Sequence, residues 1–323
     1  MIIDLKTEEI IKLNNNQGQG SELNSNMVYS AFPDKTGNIW LGTLVGMNKL
    51  TYSSDSIDLY RSKNNNSQCI ASNENHALLL DSKNNIWLGA KGKGLNFIDQ
   101  TNNTCKLFNK KNINLPNVTF NLIIDIKEDL QGNIWISSFN EGLIKYNPNT
   151  KIFSQLSFPD LEKKQIIQHG EILDIVIDKA NNLWLGMTNH GLVKYDQKGH
   201  TLKLIGEKIA NKLQRKNLSV KSIVQIKDTL WLGTTYSGLI SYTPSTNQIK
   251  SYLSDKESLN IVSTAQDNEQ NIWLGTSGLG IIKFTPKTGL HQQYQAKDGL
   301  ADNDVFNIQV DNNNIPWIKV KDT

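Results

Sequence analysis

The sequence predicts an all-β fold, because one short motif centred on tryptophan returns seven times at nearly even spacing. Consecutive tryptophans are 42 to 49 residues apart, and a period in this range is typical of solenoids and propellers. The repeated residues are Trp40, Trp87, Trp135, Trp184, Trp231, Trp273 and Trp317. Each repeat shows short strands and turn residues and no helical stripe of useful length, so we predict a seven-bladed β-propeller.

The repeat around Trp184 illustrates the predicted blade. Residues 172–182, "ILDIVIDKANN", alternate as a strand and end in an Asp/Asn turn. The segments "LWLGM" (183–187), "LVKYD" (192–196) and "TLKLIG" (201–206) provide three further strands. Four antiparallel strands per unit, repeated radially, form a propeller blade.

The recurring residues suit a structural role. Tryptophan is large and rigid, and in the second strand it can fill the space between neighbouring blades. Glycine two residues later permits close backbone approach, and glycine before the third strand permits a positive φ. We therefore expect the tryptophans, glycines and turn Asp/Asn residues to specify architecture, and the differing turns to specify function.

The seventh repeat ends early, and the N-terminus resembles its missing half. Residues 1–13, "MIIDLKTEEIIKL", are similar to "GIIKFTPKTGLHQQY" (280–294), the outer strand pair of the sixth repeat. We expect residues 1–13 to supply the outer strands of the blade formed by residues 303–323, so that residues 1–323 make one propeller. This closure leaves no open sheet edge.

The composition argues against several classes of partner and cofactor. Net charge is +3 with 20% charged residues, which gives no reason to expect nucleic acid or an anionic membrane as a partner. No apolar run approaches the ~20 residues of a membrane helix, and no signal peptide is visible. The two cysteines, Cys69 and Cys105, lack metal-ligand spacing. One disulfide is possible, but we expect two isolated thiols, with neither a metal nor a cofactor.

The repeat resembles the two-component regulator propeller family. The resemblance is carried by "NDVFNIQVDNNN" (303–314), "GNIWLGT" (37–43), "EGLIKYNPNT" (141–150) and "KDGLADNDV" (297–305). It implies an extracytoplasmic, periplasmic sensor module of a bacterial receptor that binds a small polar ligand such as an oligosaccharide and signals as a dimer. A cytoplasmic protein stays an alternative. The seventh repeat departs from the pattern at Pro316 and at Lys319, which stands where glycine is usual.

Candidate ligand-binding residues lie in the turns between second and third strands and in the links between blades, which open on one face of a propeller. Polar and aromatic side chains there suit a sugar or a uronic acid. The turns contain Lys91, Lys93, Asn140, Glu141, Asn189, His190 and Tyr236, and the links contain His76, His169 and Arg215.

Two other functions stay open. Some seven-bladed propellers are lyases that act on polysaccharides or cyclic antibiotics, and His190, His169 and Glu141 could form a general-base site. However, no nucleophile elbow, His-Glu-x-x-His motif or phosphate loop is present, so we predict no catalytic residues. A protein-binding or dimerisation scaffold is the other alternative.

Overall fold

The chain folds into seven four-stranded antiparallel sheets. The computed structural model describes residues 2–3, 10–11, 23, 28–34, 38–44, 46–51, 56–60, 70–72, 74–102, 104–254, 259–311 and 314–321. Each sheet is a blade, in which the chain runs from the innermost strand to the outer edge before it links to the next blade. The one departure from this order is the seventh blade.

The N-terminal strands are β1 (Ile2–Ile3) and β2 (Ile10–Ile11). Blade 1 has β3 (Val28–Pro33), β4 (Ile39–Thr43), β5 (Gly46–Thr51) and β6 (Ser56–Tyr60). Blade 2 has β7 (Asn75–Leu80), β8 (Ile86–Ala90), β9 (Gly94–Asp99) and β10 (Thr104–Phe108). Blade 3 has β11 (Ile123–Glu128), β12 (Ile134–Ser138), β13 (Gly142–Asn147) and β14 (Ile152–Gln155). Blade 4 has β15 (Ile172–Ile177), β16 (Leu183–Met187), β17 (Gly191–Asp196) and β18 (Thr201–Leu204). Blade 5 has β19 (Val220–Ile226), β20 (Thr229–Thr234), β21 (Leu239–Thr243) and β22 (Gln248–Tyr252). Blade 6 has β23 (Ile261–Gln266), β24 (Ile272–Thr276), β25 (Ile281–Phe284) and β26 (His291–Tyr294), and blade 7 has β27 (Val305–Val310) and β28 (Pro316–Val320).

The innermost strands form a closed ring. Each packs beside the innermost strand of the next blade, and β27 returns to β3. The seventh sheet has the order β2-β1-β28-β27, with Ile2 opposite Trp317 and Ile11. The predicted fold class, including closure of the last blade by N-terminal strands, is therefore confirmed, although residues 1, 4–9 and 12–13 lie outside the described part.

Two links between blades contain helices that the sequence pattern did not predict. They are α1 (Leu161–His169) and α2 (Gly206–Lys212), and a 3-10 turn spans Ala296–Asp298. Helix α1 begins after Asp160, whose carboxylate accepts a 3.0 Å hydrogen bond from the backbone N–H of Lys163. Because α1 buries only Ile166 and Ile167, it lacks the long apolar stripe by which a helix is recognised in sequence.

An aspartate fixes the turn between the first two strands of most blades. In blade 6, Asp267 Oδ1 accepts hydrogen bonds from the backbone N–H groups of Glu269 and Asn271, at 3.0 and 2.8 Å. Its Oδ2 accepts from Asn271 Nδ2 at 2.9 Å and from Trp273 Nε1 at 3.1 Å. The same bond from tryptophan to the aspartate six residues earlier, 2.9–3.1 Å long, occurs at Trp40, Trp87, Trp135, Trp184 and Trp317.

Each tryptophan packs against the blade that follows its own. Trp273 of blade 6 is fully buried and clusters with Val305, Ile308 and Ile318 of blade 7. Lys283, opposite Trp273 on β25, places Nζ 5.3 Å from the indole centroid. The tryptophans of the other blades occupy equivalent clusters. The repeated indole therefore fills the interface between neighbouring blades.

Blade 5 lacks the aspartate that accepts from the indole N–H in the other blades. Its first turn is shorter, and Gln225 stands six residues before Trp231. Trp231 is 5% exposed, and its Nε1 has no acceptor among the described residues. The indole keeps its wedge role against Leu259, Ile261 and Ile272 of the link and blade that follow, but it lacks the hydrogen bond.

Cys105 corrects the expectation of isolated thiols. This residue of β10 is disulfide-bonded, while Cys69, the other cysteine of the chain, lies outside the described residues. The sequence pattern did not reveal the bond because the two cysteines lie in different predicted segments, and pairing requires Cα atoms within about 7 Å.

Replacing tryptophan by phenylalanine in blades 5 and 6 separates the hydrogen bond from the packing. Trp273→Phe should destabilise the fold by about 1–3 kcal/mol more than Trp231→Phe, because only the former removes a donor from a buried carboxylate. Urea unfolding followed by circular dichroism measures both. An equal loss in the two variants would mean that the Asp–Trp bond contributes nothing beyond ring packing.

Candidate functional site

The turns between second and third strands meet the inter-blade links on one face, which we call the link face. The backbone N–H of Lys91 donates to Glu74 O at 3.0 Å, and that of Thr188 donates to Glu171 O at 3.2 Å, so each turn is joined to its own blade's incoming link. The N–H of Gly92 donates to Asn121 O at 2.8 Å, in the link to the next blade. In blades 2 and 4, the turns and the links therefore meet on the same face.

The structure places nine of the ten candidate residues in these turns and links. The turns hold Lys91, Lys93, Asn140, Glu141, Asn189, His190 and Tyr236, and the links hold His169, the last residue of α1, and Arg215. Tyr236 presents an aromatic ring that is 63% exposed. His76 was assigned to a link, which is wrong: it lies in the innermost strand β7, because that strand begins at Asn75, opposite Ala90.

Glu141 is occupied by its own fold. Its carboxylate accepts hydrogen bonds from Thr119 N at 2.7 Å, Thr119 Oγ1 at 2.5 Å and Phe120 N at 3.0 Å. It also accepts from Ser138 Oγ at 2.6 Å. Glu141 thereby ties the end of the link between blades 2 and 3 to the turn of blade 3, and these contacts leave the carboxylate little capacity for a ligand.

Glu74, His76 and Lys91 form a charged cluster beside the start of β7. Glu74 Oε1 lies 2.6 Å from Lys91 Nζ and 3.1 Å from His76 Nε2. The hydrogen bond from Lys91 is the main cause that lowers the pKa of Glu74. Burial lowers the pKa of His76 although Glu74 opposes this, and the positive charges of Lys91 and Lys319 add to the lowering.

A polar pocket lies on the link face between blades 4 and 5. Its volume is about 440 Å³. Its lining residues are Asn189, His190, Gly206, Glu207, Ala210, Asn211, Lys216, Asn217 and Leu218. Ala210 and Leu218 are buried and apolar, while amide, imidazole, carboxylate and ammonium groups surround them. The pocket thus combines many donors and acceptors with a small apolar patch.

Asp125, Lys127 and Asp174 form a second ionic cluster, on the inner strands of blades 3 and 4. Lys127 Nζ is 2.7 Å from Asp125 Oδ1 and 4.0 Å from Asp174 Oδ1. Both carboxylates reach the following blade: Asp125 Oδ2 accepts from Ile175 N at 3.0 Å, and Asp174 Oδ2 accepts from Ile223 N at 2.7 Å. The cluster links three consecutive blades near the central axis.

The protonation of this cluster follows from burial and charge. Burial raises the pKa of Asp174 to about 7; Lys127 opposes the rise, and Asp125 adds to it. Burial tends to lower the pKa of the Lys127 ammonium. The negative charges of Asp125 and Asp174 have the larger combined effect, so the pKa is raised. Asp174 therefore carries a partial charge near neutral pH.

The residues considered for a lyase site do not assemble as one. His169 is exposed at the end of α1, His190 lines the pocket, and Glu141 holds Thr119 and Phe120. Within the described residues, no group of three His, Cys, Asp or Glu side chains is arranged to hold a metal ion. No general-base constellation is apparent from these three residues.

Several site residues were missed by the sequence argument. Glu207, Asn211, Lys216 and Asn217 reach the pocket because α2 folds the link over the turn of blade 4. The sequence feature that could have indicated these residues is the long link between β18 and β19, which is long enough to fold over the turn. Asp125 and Asp174 were detectable as charged residues at the third position of innermost strands that begin with two apolar residues.

The comparisons with known proteins agree with this architecture. A family model described as "Two component regulator propeller" matches residues 22–44, which confirms the resemblance at that repeat. No curated protein matches the chain in sequence. In the described ranges, no helix has the length and apolar character to cross a membrane.

Solved structures resemble the fold at low sequence identity. An extracellular domain assigned to the hybrid two component system BT3049 of B. thetaiotaomicron has a TM-score of 0.74 and 20% identity, covering 92% of this chain and 39% of that one. An extracellular domain assigned to the one component system BT4673 of the same organism has a TM-score of 0.69 and 21% identity, covering 91% and 37%. Virginiamycin B lyase from Staphylococcus aureus has a TM-score of 0.66 and 13% identity, covering 92% and 93%. The chain spans less than two fifths of the two sensor domains.

Asp174→Asn should change the pH dependence of stability in a defined direction. The folded-state pKa is raised above the unfolded value of about 3.9, so the native protein binds the extra proton and stability falls as pH rises from about 4 to about 7. Asparagine can still accept from Ile223 N and does not ionise. The free energy of unfolding of the variant relative to wild type should therefore increase by about 1 kcal/mol or more between pH 4 and pH 7.5.

Urea unfolding at a series of pH values measures this difference, and Glu162→Gln, at an exposed residue of α1, is the control. A relative stability that stays constant with pH would show that Asp174 titrates as an ordinary carboxyl.

Proposed function

We propose that this propeller is the ligand-sensing domain of a bacterial signal-transduction receptor and lies outside the cytoplasm. It binds a small polar molecule, with an oligosaccharide fragment as the first candidate, in the pocket between blades 4 and 5. The observation that carries the proposal is the pocket itself, where the predicted residues Asn189 and His190 meet further polar groups around a buried apolar patch.

The chemistry of the pocket favours a polyhydroxylated ligand. Asn189, Asn211 and Asn217 each offer an amide that both donates and accepts, which suits sugar hydroxyls. The buried Leu218 and Ala210 can contact the C–H face of a sugar ring. Glu207 and Lys216 carry opposite charges, so the lining does not single out a strongly anionic or cationic ligand.

The matched repeat and the signs of an oxidising compartment support a receptor. The matched repeat is described as a two component regulator propeller, and two of the similar structures are extracellular domains assigned to one and two component systems. The disulfide at Cys105 is consistent with an oxidising compartment, because disulfides are rare in reducing cytosol. These points together favour an extracytoplasmic position.

A sensor of this kind signals through differential binding. A ligand shifts a receptor between two arrangements only if it binds one of them more tightly than the other. We propose that the full receptor is a homodimer and that pocket occupancy changes how the link between blades 4 and 5 is held. Helix α2 belongs to both the pocket and that link, so ligand contacts reach the boundary between two blades.

A lyase is the second candidate, favoured by the similarity to virginiamycin B lyase over nearly the full length of both chains. Against it, Glu141 is engaged by Thr119 and Ser138 and lies apart from the pocket lining. A protein-interaction scaffold is the third candidate. We therefore propose binding without turnover.

The test is a thermal-shift screen followed by calorimetry, with mono- and oligosaccharides and amino acids as probes. Asn189→Gly should weaken binding of the best compound at least ~10-fold, because it removes one amide and keeps the left-handed backbone at φ 61°. The matched control is Asn140→Gly, at the equivalent turn of blade 3 with φ 58°. The control should bind as wild type.

Three outcomes would contradict the proposal. Consumption of the compound would favour the lyase. An affinity loss in Asn140→Gly but not in Asn189→Gly would move the site to blade 3. Absence of any saturable shift across the screen would favour the scaffold.

A further inference from the structure

Two opposite charges line the pocket between blades 4 and 5 without being paired. Glu207 lies in the first turn of α2, and Lys216 lies in the link that follows this helix; both residues are exposed. The hydrogen bonds and ion pairs of the described residues involve neither of these side chains. By contrast, Lys208 of the same helix donates from Nζ to Asn247 Oδ1 at 2.8 Å. The pocket therefore has a carboxylate and an ammonium that are both available to a ligand.

The amide side chains of the lining are available as well. Asn189, Asn211 and Asn217 make no side-chain hydrogen bond to another residue in the described part of the chain. In the corresponding turn of blade 3, the carboxylate of Glu141 accepts from Thr119 and Ser138. The fold thus uses the polar groups at the turn of blade 3 and leaves those of the pocket for a ligand.

Packing fixes the backbone on both sides of the two charges. A Cβ at Gly206, next to Glu207, would collide with the backbone oxygen of His190, so glycine lets α2 approach the turn of blade 4. Leu218, two residues after Lys216, is buried in the core that α2 shares with blade 5. Glu207 and Lys216 therefore extend from backbone that is anchored beside the pocket.

A ligand that fills the pocket must replace the water around both charges. Removing water from a charge is costly unless a partner replaces it. A ligand with one charge would pair with Glu207 or with Lys216 and be repelled by the other, and a neutral ligand would offer only uncharged groups to both. A molecule with one ammonium and one carboxylate can pair with both, and charge-assisted hydrogen bonds are the strong ones.

We propose that the pocket binds a zwitterion, a small molecule whose ammonium faces Glu207 and whose carboxylate faces Lys216. The volume of about 440 Å³ admits a molecule of dipeptide or monosaccharide size. Two sources share this chemistry: an amino acid or short peptide, and a sugar that carries both an amino group and a carboxylate. The inference rests on the proposed function, because it takes the same pocket as the ligand site, and it narrows the ligand to one that carries both charges.

Calorimetric titration of the full chain near neutral pH compares each zwitterion with analogues that lack one charge. L-alanyl-L-alanine should bind saturably and at least ~10-fold more tightly than N-acetyl-L-alanyl-L-alanine, which lacks the ammonium, and L-alanyl-L-alaninamide, which lacks the carboxylate. Muramic acid, with N-acetylmuramic acid and glucosamine as its analogues, makes the same comparison on a sugar. The set that shows the difference identifies the source of the ligand. Equal affinities within both sets would overturn the proposal.

Two variants assign each charge of the ligand to its partner. Glu207→Gln should weaken binding of the zwitterion at least ~10-fold and should not weaken binding of the analogue without an ammonium. Lys216→Met, which keeps the long apolar stem, should weaken the zwitterion to a similar extent and should not weaken the analogue without a carboxylate. Misfolding would weaken every ligand, so this reciprocal pattern separates a lost charge pair from a damaged fold.

The matched controls are Lys208→Met and Glu162→Gln, which remove the same charges at exposed residues outside the pocket lining. Both controls should bind the zwitterion as wild type. Unchanged binding in Glu207→Gln and Lys216→Met would overturn the proposal. A loss in the controls equal to that in the pocket variants would also overturn it, because net charge would then account for the effect.

The proposed function and this inference can fail separately. A neutral saccharide that binds and loses affinity in Asn189→Gly, while neither zwitterion binds, would overturn the zwitterion and leave the sensing pocket in place. Absence of binding by every compound would overturn both.

Discussion

The interface between neighbouring blades depends on one buried indole, which in six of the seven blades is held both by a hydrogen bond to its N–H and by packing of its ring. The carboxylate six residues earlier accepts from the indole N–H, as Asp267 does from Trp273, and the ring packs into the core of the next blade. A blade alone would expose this ring, so the sheets are stable only as a ring of neighbours. Strands β1 and β28 complete that ring by pairing the two ends of the chain.

Because the indoles and the aspartate turns hold the blades together, the link face is available for function. The aspartate turns lie at the opposite ends of the strands, where their carboxylates are used by the backbone and the indole. On the link face the turns differ in sequence from blade to blade, and the links differ in length. Some polar groups there are also structural, as Glu141 is, whereas Asn189 and His190 line open space. Chemical variety on a rigid ring is the usual basis for binding sites on such scaffolds.

The sequence predicted the features that the repeat encodes, and it missed the features that depend on contacts between individual residues. Spacing of the tryptophans predicted the seven blades, and the similarity of residues 1–13 to an outer strand pair predicted the closure. Helix α2 was not predicted because seven residues carry too short a periodic signal, and with it Asn217 of the pocket was missed. The engagement of Glu141 and the pairing of Cys105 depend on contacts between separate segments, which composition and period do not report.

Amide hydrogen exchange with and without a saturating ligand from the carbohydrate screen tests the division between structural turns and binding face most directly. We expect added protection in residues 188–190 and 205–219, with exchange unchanged in the aspartate turns such as 178–182 and 267–271. Protection confined to the aspartate turns, or spread evenly over all seven blades, would contradict a ligand site on the link face.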